Sequence, residues 1–244
     1  MKRFAIIFCV VLWATQNLLA QDFFYHNGTM RMPFREMKFG NGTERPALIV
    51  YLHPREARGS DNQKQTEGKA FQQIQNYLEN AGQNAILLAP QCELSRHWNE
   101  YSSPLGKYLS NVVKDLIDDY VSKHEIDTHR IYILGVSFGG SGVWRLITDY
   151  PNYFAAAIPA VSHPKMNRLE KYVKLNKAAK TPICMVVGEK DTVYGPSVVD
   201  QYADKLRKQK CNLKYVLLHE MTHYQACDNA FPVEALDWLF QQKR

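Results

Sequence analysis

Residues Gly135-Val136-Ser137-Phe138-Gly139 stand between a short β-branched and aromatic run, 130–134, and a stretch with helical spacing, 140–147. Such a chain must pass from a strand into a helix through one sharp turn with a serine at its apex. In that turn the serine backbone is strained, and the residues two before and two after it crowd the bend. Both must be nearly free of side chain if the hydroxyl is to project above the strand end. Glycine at 135 and 139 meets that demand. Because Gly and Ser are each about 7% of residues, the bare pattern arises by chance in about one chain in ten of this size. The flanking strand and helix therefore carry the inference.

The rest of the chain agrees with such a turn. Residues 47–52, Ala-Leu-Ile-Val-Tyr-Leu, form a continuous apolar run, as a strand buried on both faces does. Further strands are expected at 84–89, 130–134, 154–159, 183–187 and 213–218, with helices near 66–79, 166–179, 196–209 and 233–242. Leu105, Tyr108, Leu109, Val112, Val113, Leu116, Ile117 and Tyr120 recur at three- and four-residue steps and predict a helix, with Ser103 as its N-cap and Pro104 in its first turn. Near the start, 23–25 and 30–39 are strand-like, and Asn41-Gly42 is a hairpin-type turn signal. Alternation of strands and helices predicts an α/β fold: a mostly parallel central sheet with helices on both faces and ligands at the carboxyl ends of the strands.

Lys2 and Arg3 precede an apolar stretch, 4–13, and the segment closes on Ala20 before Gln21-Asp22. This fits a cleavable secretory signal at 1–20, leaving 21–244 as one catalytic domain, secreted or periplasmic, with no stable membrane association after cleavage. Removing Lys2 and Arg3 lowers the formal net charge from +6 to +4. That mild excess lacks the arginine stripes and stacked aromatics of a nucleic-acid binder. Cys92, Cys184, Cys211 and Cys227 remain after cleavage. Export permits a Cys92–Cys227 bridge, four free thiols being the alternative. No Cys/His spacing suggests a metal site, and no cofactor is implied.

A serine hydroxyl is a weak nucleophile at neutral pH, so an imidazole must take its proton and a carboxylate must orient that imidazole. In this architecture acid and histidine follow the serine, each after a later strand. Beyond 183–187 stand Glu189 and Asp191, and beyond 213–218 stand His219 and His223. Asp191, in an Asp-Thr-Val turn that suits a locally bonded carboxylate, is favoured over Glu189. His223, further into the loop, is favoured over His219, which abuts the strand.

Several blocks then form a resemblance. Leu52-His53-Pro54-Arg55 through Arg58-Gly59-Ser60-Asp61-Asn62, Ala89-Pro90-Gln91-Cys92 with Trp98, the serine turn with Trp144, and Gly188-Glu189-Lys190-Asp191 are similar, in the same order, to blocks of α/β-hydrolase serine esterases related to phospholipase/carboxylesterases, polyhydroxybutyrate depolymerases and feruloyl esterases. The resemblance spans about residues 47–225 and implies the α/β-hydrolase fold and ester hydrolysis through Ser137, Asp191 and His223. It also implies an oxyanion hole made by the backbone N–H groups of Phe138 and Arg55. Where the family has glycine after the histidine, this chain has Pro54, which offers no N–H: the hole survives if Arg55 is the donor and loses one donor if the chain is displaced there.

Trp98 and His163, with His97 and Tyr101, are candidates for the substrate-binding wall; each has a plainer reading as a core plug or loop residue. The basic run 165–180 is read as a solvated helix face. The expected substrate is a small-molecule or polysaccharide-linked ester. The alternatives are a peptidase of the prolyl-oligopeptidase type and a catalytically degenerate binding protein.

Overall fold

The structure is a computed structural model that describes residues 21–27, 30–102, 107–165 and 173–244. The expected signal 1–20, the Ser103-Pro104 helix start and residues 166–172 of the basic run lie outside the described residues. The strands are β1 (Gln21–Asn27), β2 (Met30–Phe39), β3 (Ala47–Leu52), β4 (Ala85–Pro90), β5 (Tyr101–Ser102), β6 (Lys107–Tyr108), β7 (Ile131–Val136), β8 (Ala156–Ala160), β9 (Ile183–Gly188) and β10 (Leu213–Leu218). The helices are α1 (Lys69–Asn80), α2 (Leu109–Lys123), α3 (Phe138–Asp149), α4 (Leu175–Ala178), α5 (Pro196–Lys208), α6 (His223–Asp228) and α7 (Val233–Phe240). Eight strands form one sheet in the order β1-β2-β4-β3-β7-β8-β9-β10. From β4 to β10 every neighbouring pair is parallel, while β2 runs antiparallel to β4 and β1 antiparallel to β2.

Period-two alternation sorts the core onto two faces. Leu48, Val50 and Leu52 of β3 join α2, α3 and α5 on one face, whereas Ile49 and Tyr51 join α1 and α7 on the other. Both faces are covered, so β3, β4, β7, β8 and β9 are buried along their whole length and read as unbroken apolar runs. This is the α/β-hydrolase fold.

Four expectations need correction. Asn41-Gly42 does not close a hairpin: β2 pairs with β1 and β4, and the chain passes β4 to reach β3. The helix expected from Thr66 is a 3₁₀ turn, Lys64–Thr66, followed after Gly68 by α1, since glycine favours a break over helix continuation. The helix expected from Pro104 begins at Leu109, because Lys107–Tyr108 pairs with Tyr101–Ser102. No Cys92–Cys227 bridge forms, and both cysteines are free. Cys92 packs in the core on the α2/α3 face and Cys227 against the core on the opposite face, so the sheet separates the two sulfurs.

Candidate active site

The serine turn lies where β7 ends and α3 begins. Ser137 has φ 49° and ψ −108°, a left-handed backbone that non-glycine residues adopt only under constraint. The constraint is steric. A Cβ on Gly135 would lie 2.6 Å from the Gly139 carbonyl carbon, and a Cβ on Gly139 would lie 1.9 Å from the Leu52 carbonyl oxygen. The glycines therefore let β7, the turn and the end of β3 meet backbone to backbone. Phe138 is the first residue of α3, so its N–H has no partner within the helix.

Ser137 Oγ stands 3.4 Å from His223 Nε2, and His223 Nδ1 stands 2.8 Å from Asp191 Oδ2. A carboxylate only accepts, so Nδ1 carries the proton and Nε2 is left bare toward the serine. Asp191 follows β9, and its other oxygen accepts the Val193 and Tyr194 N–H groups at 2.7 and 2.8 Å. Burial pushes this carboxyl's pKa up, but the hydrogen bonds from His223, Tyr194 and Val193 and the nearby imidazole outweigh burial and hold it below the usual range. His223 begins α6, behind a capping box in which Gln225 Oε1 accepts the Thr222 N–H at 3.0 Å. It was expected in a loop; Thr222-x-x-Gln225 is the sequence signal that marks the helix instead.

The competing pair sorts itself out. Glu189 is exposed, accepts the Glu220 N–H at 2.8 Å and lies 3.4 Å from His219 Nδ1. His219 is also exposed, with 78% of its side chain in solvent, against 13% for His223. Of the four groups, Asp191 and His223 are the two joined to Ser137.

Across the turn, Pro54 takes an ordinary extended backbone (φ −70°, ψ 175°) and caps the 3₁₀ turn Arg55–Ala57. Arg55 is the first residue after it with a backbone N–H. A cavity of about 460 Å³ opens over Ser137 and His223 and is bounded by Tyr51, Pro54, Ala57, Ala70, Tyr224 and Cys227, with Lys64, Glu67 and the Lys69–Asp228 ion pair (2.8 Å) also at its walls. Cys227 Sγ is 3.7 Å from His223 Nε2. Burial, with the carboxylates of Asp191, Glu56 and Asp228, pushes its thiol up to about 12 and so favours the thiol over the thiolate. Another groove of about 500 Å³, between α1 and α7, is lined by neither serine, cysteine nor histidine.

Neither aromatic candidate borders this cavity. Trp98 is fully buried: its Nε1–H donates to the His53 carbonyl at 3.1 Å, and its Cβ would meet a Cβ on Gly142 at 2.8 Å. A side chain with no exposed face cannot stack on a ligand, so Trp98 plugs the loop after β4 onto α3. His163 is also buried, its ring 5.3 Å from Tyr194, whose ring in turn lies 5.2 Å from His223. It supports the ring behind His223 and does not line the cavity. His97 packs 5.1 Å from the Phe138 ring, and Arg58 lies over that ring at 5.5 Å. The side chain of Tyr101 is outside the described residues. Two other aromatics border the cavity: buried Tyr51 of β3, and Tyr224, 76% exposed and next to His223 in α6. Among the described residues no three His, Cys, Asp or Glu side chains gather as a metal site, and no helix is long and apolar enough to cross a membrane.

Comparison with known structures agrees with this architecture. A thermostable esterase superposes with a TM-score of 0.72 at 24% identity over 92% of this chain, which spans 63% of that esterase's length. A ferulic acid esterase gives 0.69 at 14% identity, covering 91% of this chain and 98% of the other. An S-formylglutathione hydrolase from Staphylococcus aureus gives 0.70 at 16%, covering 90% and 98%. No curated protein sequence matches the chain. Residues 90–234 match the dienelactone hydrolase family, a stretch running from the end of β4 through Ser137, Asp191 and His223 into α7. The chain belongs to the dienelactone hydrolase family and is an ester hydrolase.

Proposed function

We propose that this protein hydrolyses carboxylic esters through an acyl-enzyme formed on Ser137. The line from Ser137 Oγ through His223 to Asp191, opening into one cavity, carries this reading. His223 Nε2 takes the hydroxyl proton as Oγ attacks the ester carbonyl, then returns it to the departing alkoxide. Asp191 holds the imidazole in the tautomer that presents a bare Nε2 and stabilises the imidazolium that forms. The Ser137–His223 separation of 3.4 Å is long for a hydrogen bond and tightens as substrate arrives. The Phe138 and Arg55 N–H groups receive the carbonyl oxygen as it becomes an oxyanion, and water cleaves the acyl-enzyme by the same proton route. These steps use side chains and backbone alone, with no metal or cofactor.

The cavity exposes more apolar than polar surface and includes the exposed Tyr224, which suits a small or ring-bearing ester presented free or on a polysaccharide. The Lys2-Arg3 start, apolar 4–13 stretch and Ala20 support export of residues 21–244. A fluorophosphonate probe is expected to label the wild type and not Ser137→Ala. Hydrolysis of p-nitrophenyl acetate and methyl ferulate, without turnover of a peptide anilide, supports an esterase. An unlabelled, inactive wild type that still binds a glycan defeats the proposal. Cell fractionation with N-terminal sequencing tests export, expecting Gln21 as the first residue.

A further inference from the structure

His53 follows the end of β3 and borders neither of the two cavities described above; it is fully buried, and both ring nitrogens are engaged by backbone. Its Nε2 lies 2.9 Å from the Cys92 N–H. A backbone N–H can only donate, so Nε2 is unprotonated and the ring proton sits on Nδ1. Nδ1 lies 2.7 Å from the Pro54 carbonyl oxygen, which can only accept. The tautomer is thus fixed from both sides, and burial, the larger effect, lowers this imidazole to about 4, so it stays neutral across the physiological range. The Pro54 oxygen accepts a second hydrogen bond from the Ala57 N–H at 3.2 Å. Its two lone pairs are both engaged, and the carbonyl is held inward.

No peptide bond among the described residues is cis. In a trans peptide the C=O and the following N–H point in opposite directions. Anchoring the Pro54 carbonyl therefore aims the Arg55 N–H away from His53, on the stretch of chain that borders the cavity over Ser137. The His53 carbonyl is fixed as well: it accepts Trp98 Nε1–H, and it would lie 2.8 Å from a Cβ on Gly139. The ring ties the chain after β3 to the start of the loop after β4, and the His53 carbonyl abuts the serine turn, so one residue touches three segments that border the cleft.

We infer that His53 is a positioning residue for the oxyanion hole, locking the Pro54–Arg55 peptide plane so that the Arg55 N–H faces the reacting carbonyl. The inference rests on the reading of Ser137 as nucleophile. It also accounts for Pro54: proline adds no donor, but it stiffens the backbone that His53 orients.

The experiment compares wild type, Ser137→Ala, His53→Ala, His53→Leu and His53→Asn. The readouts are kcat and KM on p-nitrophenyl acetate, fluorophosphonate labelling, the Ki of a trifluoromethyl ketone that adopts the tetrahedral oxyanion form, and thermal unfolding. Loss of labelling in Ser137→Ala secures the underlying reading. If wild type does not label, that reading fails and this one with it. Given labelling, folded His53→Ala or His53→Leu is expected to lose about 10²–10³-fold in kcat with little change in KM, the loss expected for one oxyanion donor. Their ketone affinity is expected to fall in parallel. His53→Asn places an amide N–H near the Nδ1 position and is expected to recover kcat to within about tenfold of wild type. A folded His53→Ala or His53→Leu with kcat within threefold of wild type overturns the proposal. So does a kcat loss with unchanged ketone affinity. If neither truncation folds, His53→Asn decides: a folded variant down a hundredfold in kcat or in ketone affinity overturns the proposal, and retention of both supports it.

Discussion

Gly139→Ala tests whether close backbone contact between the serine turn and the end of β3 sets catalytic geometry. The added Cβ would stand 1.9 Å from the Leu52 oxygen, 2.6 Å from the Leu52 carbonyl carbon and 2.8 Å from the His53 oxygen. A carbon–oxygen contact settles near about 3.3 Å, so the serine turn and the chain leading to Arg55 must separate by roughly 1.4 Å. All three obstructing atoms are backbone, and no side-chain rotation relieves them. Overpacking of this kind costs about 1–3 kcal/mol, and for a domain of this size each kcal/mol lowers Tm by about 2–4 °C. The kinetic cost is larger in proportion, since a misplacement of about 1 Å is worth about 10²-fold. The assay pairs kcat/KM on p-nitrophenyl acetate with thermal melts of Gly139→Ala and Gly82→Ala. Gly82 has φ 58° beyond α1 and open space around it, so alanine there costs about 1 kcal/mol through backbone strain alone. Both variants are expected to melt earlier, and only Gly139→Ala to lose about 10²-fold in kcat/KM. If Gly139→Ala keeps kcat/KM within threefold, or Gly82→Ala loses as much, the reasoning is wrong.

Asp191→Asn is expected to lower kcat by about 10³–10⁴-fold by presenting the wrong histidine tautomer, while exposed Glu189→Gln stays within about twofold; equal effects on kcat would return the acid to an open question. Asp61 accepts hydrogen bonds from the Gln91 side chain and from the Gln63 and Lys64 N–H groups, which with Lys64 itself outweigh the upward push of burial and bring its carboxyl to about 2. A carboxyl lowered in the folded state stabilises fully above its unfolded pKa and loses that contribution as pH falls through the folded value. Melting temperatures of wild type are therefore expected to drop more steeply than those of Asp61→Asn between about pH 4 and pH 2. A count of thiols on denatured residues 21–244 is expected to give four with or without reductant, and two missing thiols before reduction would refute the separation of Cys92 from Cys227 by the sheet.

The parts of the fold visible in the sequence are those where one environment covers a whole element. Ala47–Leu52 and Ile183–Gly188 are buried throughout, so their apolar runs need no tertiary knowledge to read. The preference for Asp191 over Glu189 was also local, because a short carboxylate closing on the N–H groups two and three residues ahead is a property of the Asp-Thr-Val turn. The walls of the cavity were not local. Trp98 is buried because His53 and Gly142, each more than forty positions away, close around it. Tyr224 is exposed because a six-residue helix turns it outward, and the apolar pattern of so short a helix is too brief to show its period. Cys92 and Cys227 both follow strands, but strand-end position does not say which face a side chain takes.

The order of strands has a consequence for how activity is lost. Among the described residues β10 is the last strand of the sheet and pairs only with β9, and most of its residues are only partly buried, whereas β7 lies in the middle and is buried throughout. His223 follows β10, and Ser137 follows β7. The proposed nucleophile thus sits in the best-protected part of the sheet, and its proposed base at a margin expected to open more cheaply. In native-state hydrogen exchange β10 and α6 are expected to exchange ahead of β7 and α3. Under rising denaturant, ester turnover is then expected to fail before the central sheet does, as the proposed base parts from a serine whose surroundings are still folded.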